Sequence, residues 1–258
     1  MFLDAVVSSD ALQIKLPTAE CELKQIADEW DEESEAFSIF YGVVGAIDGI
    51  SIKIKKPTES NDADYFSGHK HHFGLNVQAV CDARLRFIYF GVVAPGKTND
   101  NRAFNRCEEL RRWLQDLPPK YFLVGDNAYT LTSQMLIPFS GSDKRPKDHD
   151  TYNYYLSQLR TRIEMAFGRF TTKWRIFERS LSYFLEKNSV ICQVAARLHN
   201  FVIDNDSEKV TVVRGLIEGV YEPSPMDPPS ERRKRIVEEI ETRDMEREPH
   251  NILRNRAL

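Results

Sequence analysis

The chain has 258 residues, of which 41% are hydrophobic and 11% aromatic, a composition typical of a folded globular protein and not of a disordered one. No run approaches the roughly 18 apolar residues of a membrane-spanning helix, and four widely separated cysteines argue against a zinc knot or a disulfide framework. The net charge of −4 hides an asymmetry, since residues 1–40 hold ten acidic and two basic side chains. The rest of the chain is basic, so a nucleic acid partner is not excluded.

The first forty residues are predicted to be a helical, acidic segment. In LPTAECELKQIADEW, Pro17 marks the entry of a helix and Thr18 is its predicted N-cap. We assign residues 1–40 to this N-terminal segment and residues 41–204 to one globular domain.

Three strands are predicted next. In YGVVGAIDGISIKIKKP, Ile50, Ile52 and Ile54 alternate with polar residues, the pattern of a half-buried strand. The runs FGLNVQAVCD and RFIYFGVVAP, separated by a short connection, predict an antiparallel pair. Asp48 is unusual inside the first strand. Asp48-Gly49 is either a type I′ turn between two short strands or a charged group placed at a site.

The second half of the domain is predicted to contain both helices and strands. A helix begins near Asp100, after the glycine turn in PGKTND, and Asp100 is a candidate N-cap. The short apolar run YFLVGDNAY predicts a strand that ends on Asp126, LTSQMLIPF returns to the sheet, and GSDKRPKDHD is a charged loop.

A long amphipathic helix follows, with apolar residues spaced three or four apart: Leu156, Leu159, Ile163, Phe167, Phe170 and Trp174. NSVICQVAARLHNFVID predicts a second helix. Residues 205–258 are assigned to a proline-rich linker and a charged tail, whose helix SERRKRIVEEIETRDMERE is solvated or binds a partner. This order predicts an α/β fold with antiparallel strands first, parallel additions later, and flanking helices.

Four acidic residues lie at the ends or edges of these elements: Asp48, Asp100, Asp126 and Glu164. Each has an ordinary explanation. Asp48 and Asp126 are candidate turn residues, Asp100 is a candidate helix cap, and Glu164 is a candidate surface partner of Arg160. If Asp48 and Asp126 occupy neighbouring strands, Glu164, at the border of the apolar helix stripe, is positioned to join them. Converging carboxylates repel one another unless a divalent cation such as Mg²⁺ or Mn²⁺ binds. Two such ions support displacement at phosphorus.

The ordered motifs GAIDG, PGKTND, YFLVGDNAY, RTRIEMAFGRFTTKWRIF and RLHNFV resemble the DDE endonuclease domain of PIF/Harbinger-type transposases and the nucleases derived from them. The resemblance runs from about Val43 to Ile203 and implies a ribonuclease-H-like fold and a metal-dependent DNA nuclease or strand transferase. It implies Asp48, Asp126 and Glu164 as the catalytic triad, with Asp100 as a fourth ligand of two Mg²⁺ or Mn²⁺ ions. It also implies a track for DNA phosphates along Arg160, Arg162, Arg169, Lys173 and Arg175.

The same resemblance sets the expected partners. DNA is the substrate, a separate Myb-like DNA-binding protein is compatible with the family, a homo-oligomer is left open, and no membrane is involved. The nucleus is the expected location because of the substrate, with the cytoplasm as the alternative. Two other functions stay open: a domesticated, catalytically inactive DNA-binding or adaptor protein, and a small-molecule hydrolase whose carboxylates never meet.

Overall fold

The computed structural model describes residues 2–34, 38–58, 62–141, 147–206, 228–243 and 245. Within these residues the helices are α1 (Phe2–Val7), α2 (Glu20–Glu32), α3 (Asp100–Phe104), α4 (Glu108–Asp116), α5 (Lys147–Lys173), α6 (Leu185–Asp204) and α7 (Pro229–Thr242). The strands are β1 (Val43–Lys53), β2 (Phe66–Ser67), β3 (His72–Cys81), β4 (Phe87–Pro95), β5 (Phe122–Val124) and β6 (Met135–Leu136). None of these helices combines the length and the hydropathy needed to span a membrane.

The strands form one mixed sheet with β1 at its centre. β1 pairs with β3 in antiparallel fashion on one side and with β5 in parallel fashion on the other. β4 and the short β2 pair antiparallel with β3, and β6 pairs parallel with β5. The order β4-β3-β1-β5-β6, flanked by helices, is consistent with a ribonuclease-H-like fold. It confirms the predicted α/β class, with antiparallel strands first and parallel ones added later.

β1 is uninterrupted, so the type I′ turn considered for Asp48-Gly49 is wrong. The register pairs Asp48 with Ala79 and Gly49 with Gln78, in the middle of the β1–β3 ladder. Ile47 before this pair is buried and Ile50 after it is partly buried, and pairing with β3 outweighs the local turn preference of an Asp-Gly dipeptide.

The helix predicted to begin near Asp100 starts at that residue, but the N-caps predicted for two helices are each shifted by one position. The residue before α2 is Ala19 and not Thr18. The backbone N–H groups of Thr18 and Ala19 both donate to the Glu22 carboxylate, which replaces the expected hydroxyl cap. Near Asp100 the cap is Asn99, whose side chain accepts the Arg102 N–H at 2.9 Å. That helix is short, and a second helix, α4, begins after a break.

α5 carries the predicted apolar stripe and crosses the sheet over β1 and β3. Its buried residues include Leu156, Leu159, Ile163, Phe167 and Phe170, whereas Trp174 follows the end of the helix. α5 begins at Lys147, so the last four residues of the predicted loop GSDKRPKDHD are helical. Residues 142–146 of that loop lie outside the described residues.

The acidic N-terminal segment shares the core of the domain. Leu23, Ile26 and Trp30 of α2 are buried, and α2 packs against β1. The indole N–H of Trp113 donates to the carbonyl of Pro17 at 2.6 Å, which ties the entry of α2 to α4. The boundary at residue 40 remains a prediction.

The C-terminal helix α7 packs against α5, so it is not solvated on all sides. Ile236, Val237 and Ile240 are buried in the common core. The predicted linker, residues 207–227, lies outside the described residues.

We expect Ile240→Ala to lower the free energy of unfolding by about 2–4 kcal/mol, because truncating a buried isoleucine leaves a cavity. Glu241→Ala, at an exposed position of the same helix, should change it by less than about 0.5 kcal/mol. Urea denaturation of the full chain measures both. Equal stabilities for the two variants would mean that α7 does not pack on the domain in solution.

Candidate active site

Two of the predicted catalytic carboxylates come from neighbouring parallel strands. The last pair in the β1–β5 register is Ala46 with Val124, and Asp48 and Asp126 each follow two residues later. Because side chains alternate between the faces of a sheet, both aspartates leave it on the same face. The Asp126 carboxylate also accepts the Ala128 N–H at 2.8 Å, which orients it at the turn after β5.

Asp48 is held where its ionisation is unfavourable. Burial raises the pKa of Asp48 to about 6 from its usual value of 3.8. The Gly49 N–H, at 2.7 Å from the Asp48 carboxylate, lowers this pKa, whereas the negative charges of Asp126 and Asp100 raise it further. The positive charge of Arg160 acts in the opposite direction and favours the carboxylate. The site therefore concentrates negative charge in a partly dry environment.

The third predicted carboxylate, Glu164, lies on the same side of α5 as Arg160. At 100° per residue, positions four apart are about 40° from one another around the helix axis. Arg160 is close enough to Asp48 to influence its pKa, and Glu164 is one turn further along and exposed. The long glutamate side chain is thus placed on the side of α5 that borders Asp48.

Asp100 approaches the opposite face of the sheet. Its carboxylate oxygen lies 2.0 Å from the point that a Cβ on Gly49 would occupy. Because Gly49 follows Asp48 in a regular strand, the two positions face opposite sides. Asp100 therefore influences Asp48 electrostatically without sharing its face, and its predicted role as a fourth metal ligand remains a prediction.

Asp100 is fixed by polar side chains that the sequence reasoning missed. Asn76 and Gln78 donate to its carboxylate at 3.1 and 3.0 Å, and the Tyr129 hydroxyl donates to the Gln78 amide oxygen at 2.7 Å. Burial, followed by the charges of Asp48 and the other two aspartates, raises the pKa of Tyr129, so it stays a donor. The sequence holds one signal for this cluster, because Asn76 and Gln78 are polar residues at alternate positions of the apolar run FGLNVQAVCD.

The predicted DNA-contacting residues do not form one surface with the carboxylates. Arg162, Arg169 and Lys173 lie about 140–180° from Glu164 around the axis of α5. Arg162 donates to the Ala83 carbonyl at 3.2 Å and pairs with Glu33. Ion pairs are also formed by Arg169 with Asp206 and by Arg175 with Glu178. Of the five, only Arg160 is placed beside the carboxylates, and the phosphate-binding role of the others remains a prediction.

The donor atoms at this site suit a hard divalent cation. Carboxylate oxygens are the ligands that Mg²⁺ and Mn²⁺ prefer. The pKa of Asp48 is raised first by burial and then by the charges of Asp126 and Asp100, and a cation would compensate those charges. Within the described residues, however, no group of three or more His, Cys, Asp or Glu side chains is close enough to hold a metal ion. Asp48 and Asp126 are the members of the predicted ligand set that the strand register places on one face, and the charge of Asp126 acts on Asp48.

Residues 47–200 match the family described as DDE superfamily endonuclease, which confirms the resemblance found in the motifs. The matched segment contains Asp48, Asp100, Asp126 and Glu164. No solved structure matches the chain significantly.

Curated relatives were found in mammals and in a plant. "Putative nuclease HARBI1" is 25% identical over 78% of this chain in Rattus norvegicus and 25% identical over 92% in Mus musculus. "Protein ALP1-like" from Arabidopsis thaliana is 26% identical over 70% of this chain. The matches cover 56%, 64% and 48% of the three relatives, so the chain spans about half to two thirds of their length.

Asp48→Asn should stabilise the chain at pH 8 but not at pH 4 when EDTA is present. With a folded-state pKa of about 6, the carboxyl holds its proton more tightly in the folded than in the unfolded chain, so its ionisation opposes folding. This cost is absent below about pH 4, grows as the pH rises to about 6, and is then constant. A shift of about two units corresponds to at most about 3 kcal/mol. Urea denaturation at both pH values measures the effect, with exposed Asp116→Asn as the control. A gain of equal size at the two pH values would contradict the assignment.

Gly49→Ala should lower the free energy of unfolding by about 1–3 kcal/mol, because the new methyl group displaces Asp100 from its hydrogen bonds with Asn76 and Gln78. The matched control is Gly168→Ala, at an exposed position of α5 where an added Cβ meets no atom within 4 Å. That control should gain about 0.5–1 kcal/mol from helix propensity. Thermal or urea denaturation measures the free energy of unfolding of both variants. An unchanged value for Gly49→Ala would show that Asp100 does not contact β1 at Gly49.

Proposed function

Since the chain belongs to the DDE superfamily endonuclease family, we propose that it is a divalent-metal-dependent DNA endonuclease that hydrolyses phosphodiester bonds. The observation that carries this proposal is the parallel register of β1 with β5, whose last pair, Ala46 with Val124, lies two residues before Asp48 and Asp126. The side of α5 that bears Arg160 and Glu164 lies next to this pair.

Asp48, Asp126 and Glu164 would hold the metal, which we propose to be two Mg²⁺ or Mn²⁺ ions. When bound, such ions activate a water and stabilise the leaving oxygen of an in-line displacement at phosphorus. Asp48 and Asp126 supply oxygens from a rigid sheet, whereas Glu164 reaches the site from a helix surface. Asp100 is proposed as a fourth ligand only through a change in its position. Where it stands, it supports β1 through Asn76 and Gln78.

The charge balance at Asp48 matters for this chemistry. A carboxyl with a pKa of about 6 is protonated in a substantial fraction of molecules at slightly acidic pH. A proton on Asp48 competes with a cation for the same oxygens. The positive charge of Arg160 lowers the pKa of Asp48 and so opposes its protonation in part, and its guanidinium suits contact with a DNA phosphate.

The wider role of the protein follows from the substrate. Cleavage that leaves a 3′-hydroxyl allows strand transfer as a second step, and a DNA substrate favours residence in the nucleus. A separate Myb-like DNA-binding protein would supply recognition of DNA ends, and Arg162, Arg169, Lys173 and Arg175 would contact DNA away from the carboxylates.

A second candidate function is a DNA-binding or adaptor protein that has lost the reaction. One observation favours it: within the described residues the acids do not form a closed metal-binding group. The two functions differ in whether Glu164 binds an added divalent cation together with Asp48 and Asp126.

Calorimetric titration with Mn²⁺ and Mg²⁺ tests the proposal directly. We expect binding by the parent chain and at least tenfold weaker binding by Asp48→Asn, Asp126→Asn and Glu164→Gln, because each removes one anionic ligand. Glu186→Gln, at an exposed position of α6, is the control and should bind as the parent does. Asp100→Asn, measured in parallel, decides whether that residue is a ligand.

Nicking of supercoiled plasmid DNA in Mn²⁺ or Mg²⁺ gives the functional readout. The parent and Glu186→Gln should nick, and the three ligand variants should lose at least 100-fold in rate. Metal binding that is indifferent to all three substitutions, or DNA binding without any nicking, would favour the adaptor function.

A further inference from the structure

A groove lined by exposed aromatic rings and lysines lies at the end of β1, apart from the carboxylates. It runs between Lys55–Thr58 and Ser182–Leu185 and has a volume of about 370 Å³, within the range of about 300–1,000 Å³ of ligand pockets. Tyr183 and Phe184 are 51% and 69% exposed. Two adjacent large rings in water are costly unless something covers them.

The backbone of both walls is held in place. The Lys55 N–H donates to the Leu181 carbonyl at 2.8 Å, and the Leu181 N–H donates to the Lys53 carbonyl at 2.9 Å. The fully buried Asn188 donates from its side-chain amide to the Tyr183 carbonyl at 2.9 Å, and its N–H donates to the Phe184 carbonyl at 2.9 Å. The rings thus project from fixed backbone, which reduces the ordering cost of binding.

The charge of the groove is positive. Its lining includes Lys55, Lys56 and Lys187, and no carboxylate of the described residues lines it. The Lys187 ammonium lies 4.8 Å from the centre of the Tyr183 ring. Lys56 pairs with the neighbouring Asp62 at 2.8 Å, whereas Lys55 is exposed at the mouth of the groove.

We propose that this groove binds single-stranded DNA, with bases stacked on Tyr183 and Phe184 and phosphates contacted by Lys55 and Lys187. Stacking platforms beside basic side chains are the general means of binding an unpaired strand, because every base offers a π-face. The bases of a duplex are already stacked on one another, and a cleft of this volume does not admit a duplex. A strand that leaves the carboxylate site unpaired is therefore the occupant that matches both the rings and the charge.

The position of the groove is compatible with one continuous substrate. Lys55 lies two residues beyond the end of β1 and seven residues beyond Asp48, which is at most about 23 Å at the rise of an extended chain. The inference rests on the proposed function for the choice of DNA as the nucleic acid.

Fluorescence anisotropy with the full chain in EDTA tests the groove without any catalysis. The probes are a labelled oligothymidine of about 12 nucleotides, which is within the usual site size, a duplex of the same length, and an oligouridine. We expect the oligothymidine to bind most tightly, with about tenfold losses in Tyr183→Ala and in Phe184→Ala. Tyr183→Phe keeps the ring and should bind as the parent does. Lys55→Ala should make the salt dependence of the affinity less steep by about 0.7 in the logarithmic slope.

The matched control is Phe201→Ala. This variant removes an exposed ring that lies on α6 outside the groove, so binding should be unchanged. Oligothymidine binding that survives both alanine variants, or a preference for the duplex, would overturn the proposal. Tighter binding of oligouridine would overturn the choice of DNA, and no binding of any probe would indicate a protein partner instead. Asp48→Asn should bind the oligothymidine normally in EDTA. Failure of the nuclease proposal is thus visible separately, as groove-dependent binding without nicking.

Discussion

The hydrogen-bonded register of β1 with its two neighbours determines how the rest of the site is arranged. Pairing with β5 brings Asp48 and Asp126 side by side on one face, and pairing with β3 sets Gly49 opposite Gln78 on the other. A slip of one residue would reverse every side chain of β1 and turn Asp48 towards the face that holds Asp100 and Gln78. The apolar residues of β1, which are buried on both faces, oppose such a slip. The placement of the charged group is therefore enforced by its hydrophobic neighbours.

This arrangement concentrates acids where they oppose folding. Asp48 is partly desolvated and lies within the influence of two other aspartates, and the same charges act on Tyr129 beneath the sheet. A chain selected only for stability would replace such a group with an apolar residue, since a buried charge without a full partner is expensive. Arg160 offsets part of the cost. A carboxyl group held where its charge is unfavourable is typical of functional sites.

The sequence was sufficient for the α/β class, the antiparallel pair of β3 and β4, and the buried stripe of α5, because these follow from hydrophobic periodicity and from the short connection between two strands. It was not sufficient for the side on which each acid lies. Asp100 was predicted at a helix start and Asp126 at the end of a strand, and neither local pattern indicates a face of the sheet. Asp100 reaches the sheet from the other face because Asn99 caps α3 and Gly49 leaves room for its carboxylate. Long-range contacts of this kind leave no periodic pattern. The same holds for α7, whose charged sequence conceals three buried apolar residues.

The predicted DNA-contacting residues of α5 lie on two different sides of the helix. Arg160 lies on the side of the carboxylates, whereas Arg162 is engaged with the Ala83 carbonyl and Glu33 and so helps to hold α5 and α2 together. A track of phosphates that followed all five predicted residues would have to pass around the helix, which a stiff duplex cannot do over so short a length. The positive groove at the end of β1 offers a different path. It continues along the central strand from Asp48, so one sheet would align both the reacting phosphate and the unpaired strand.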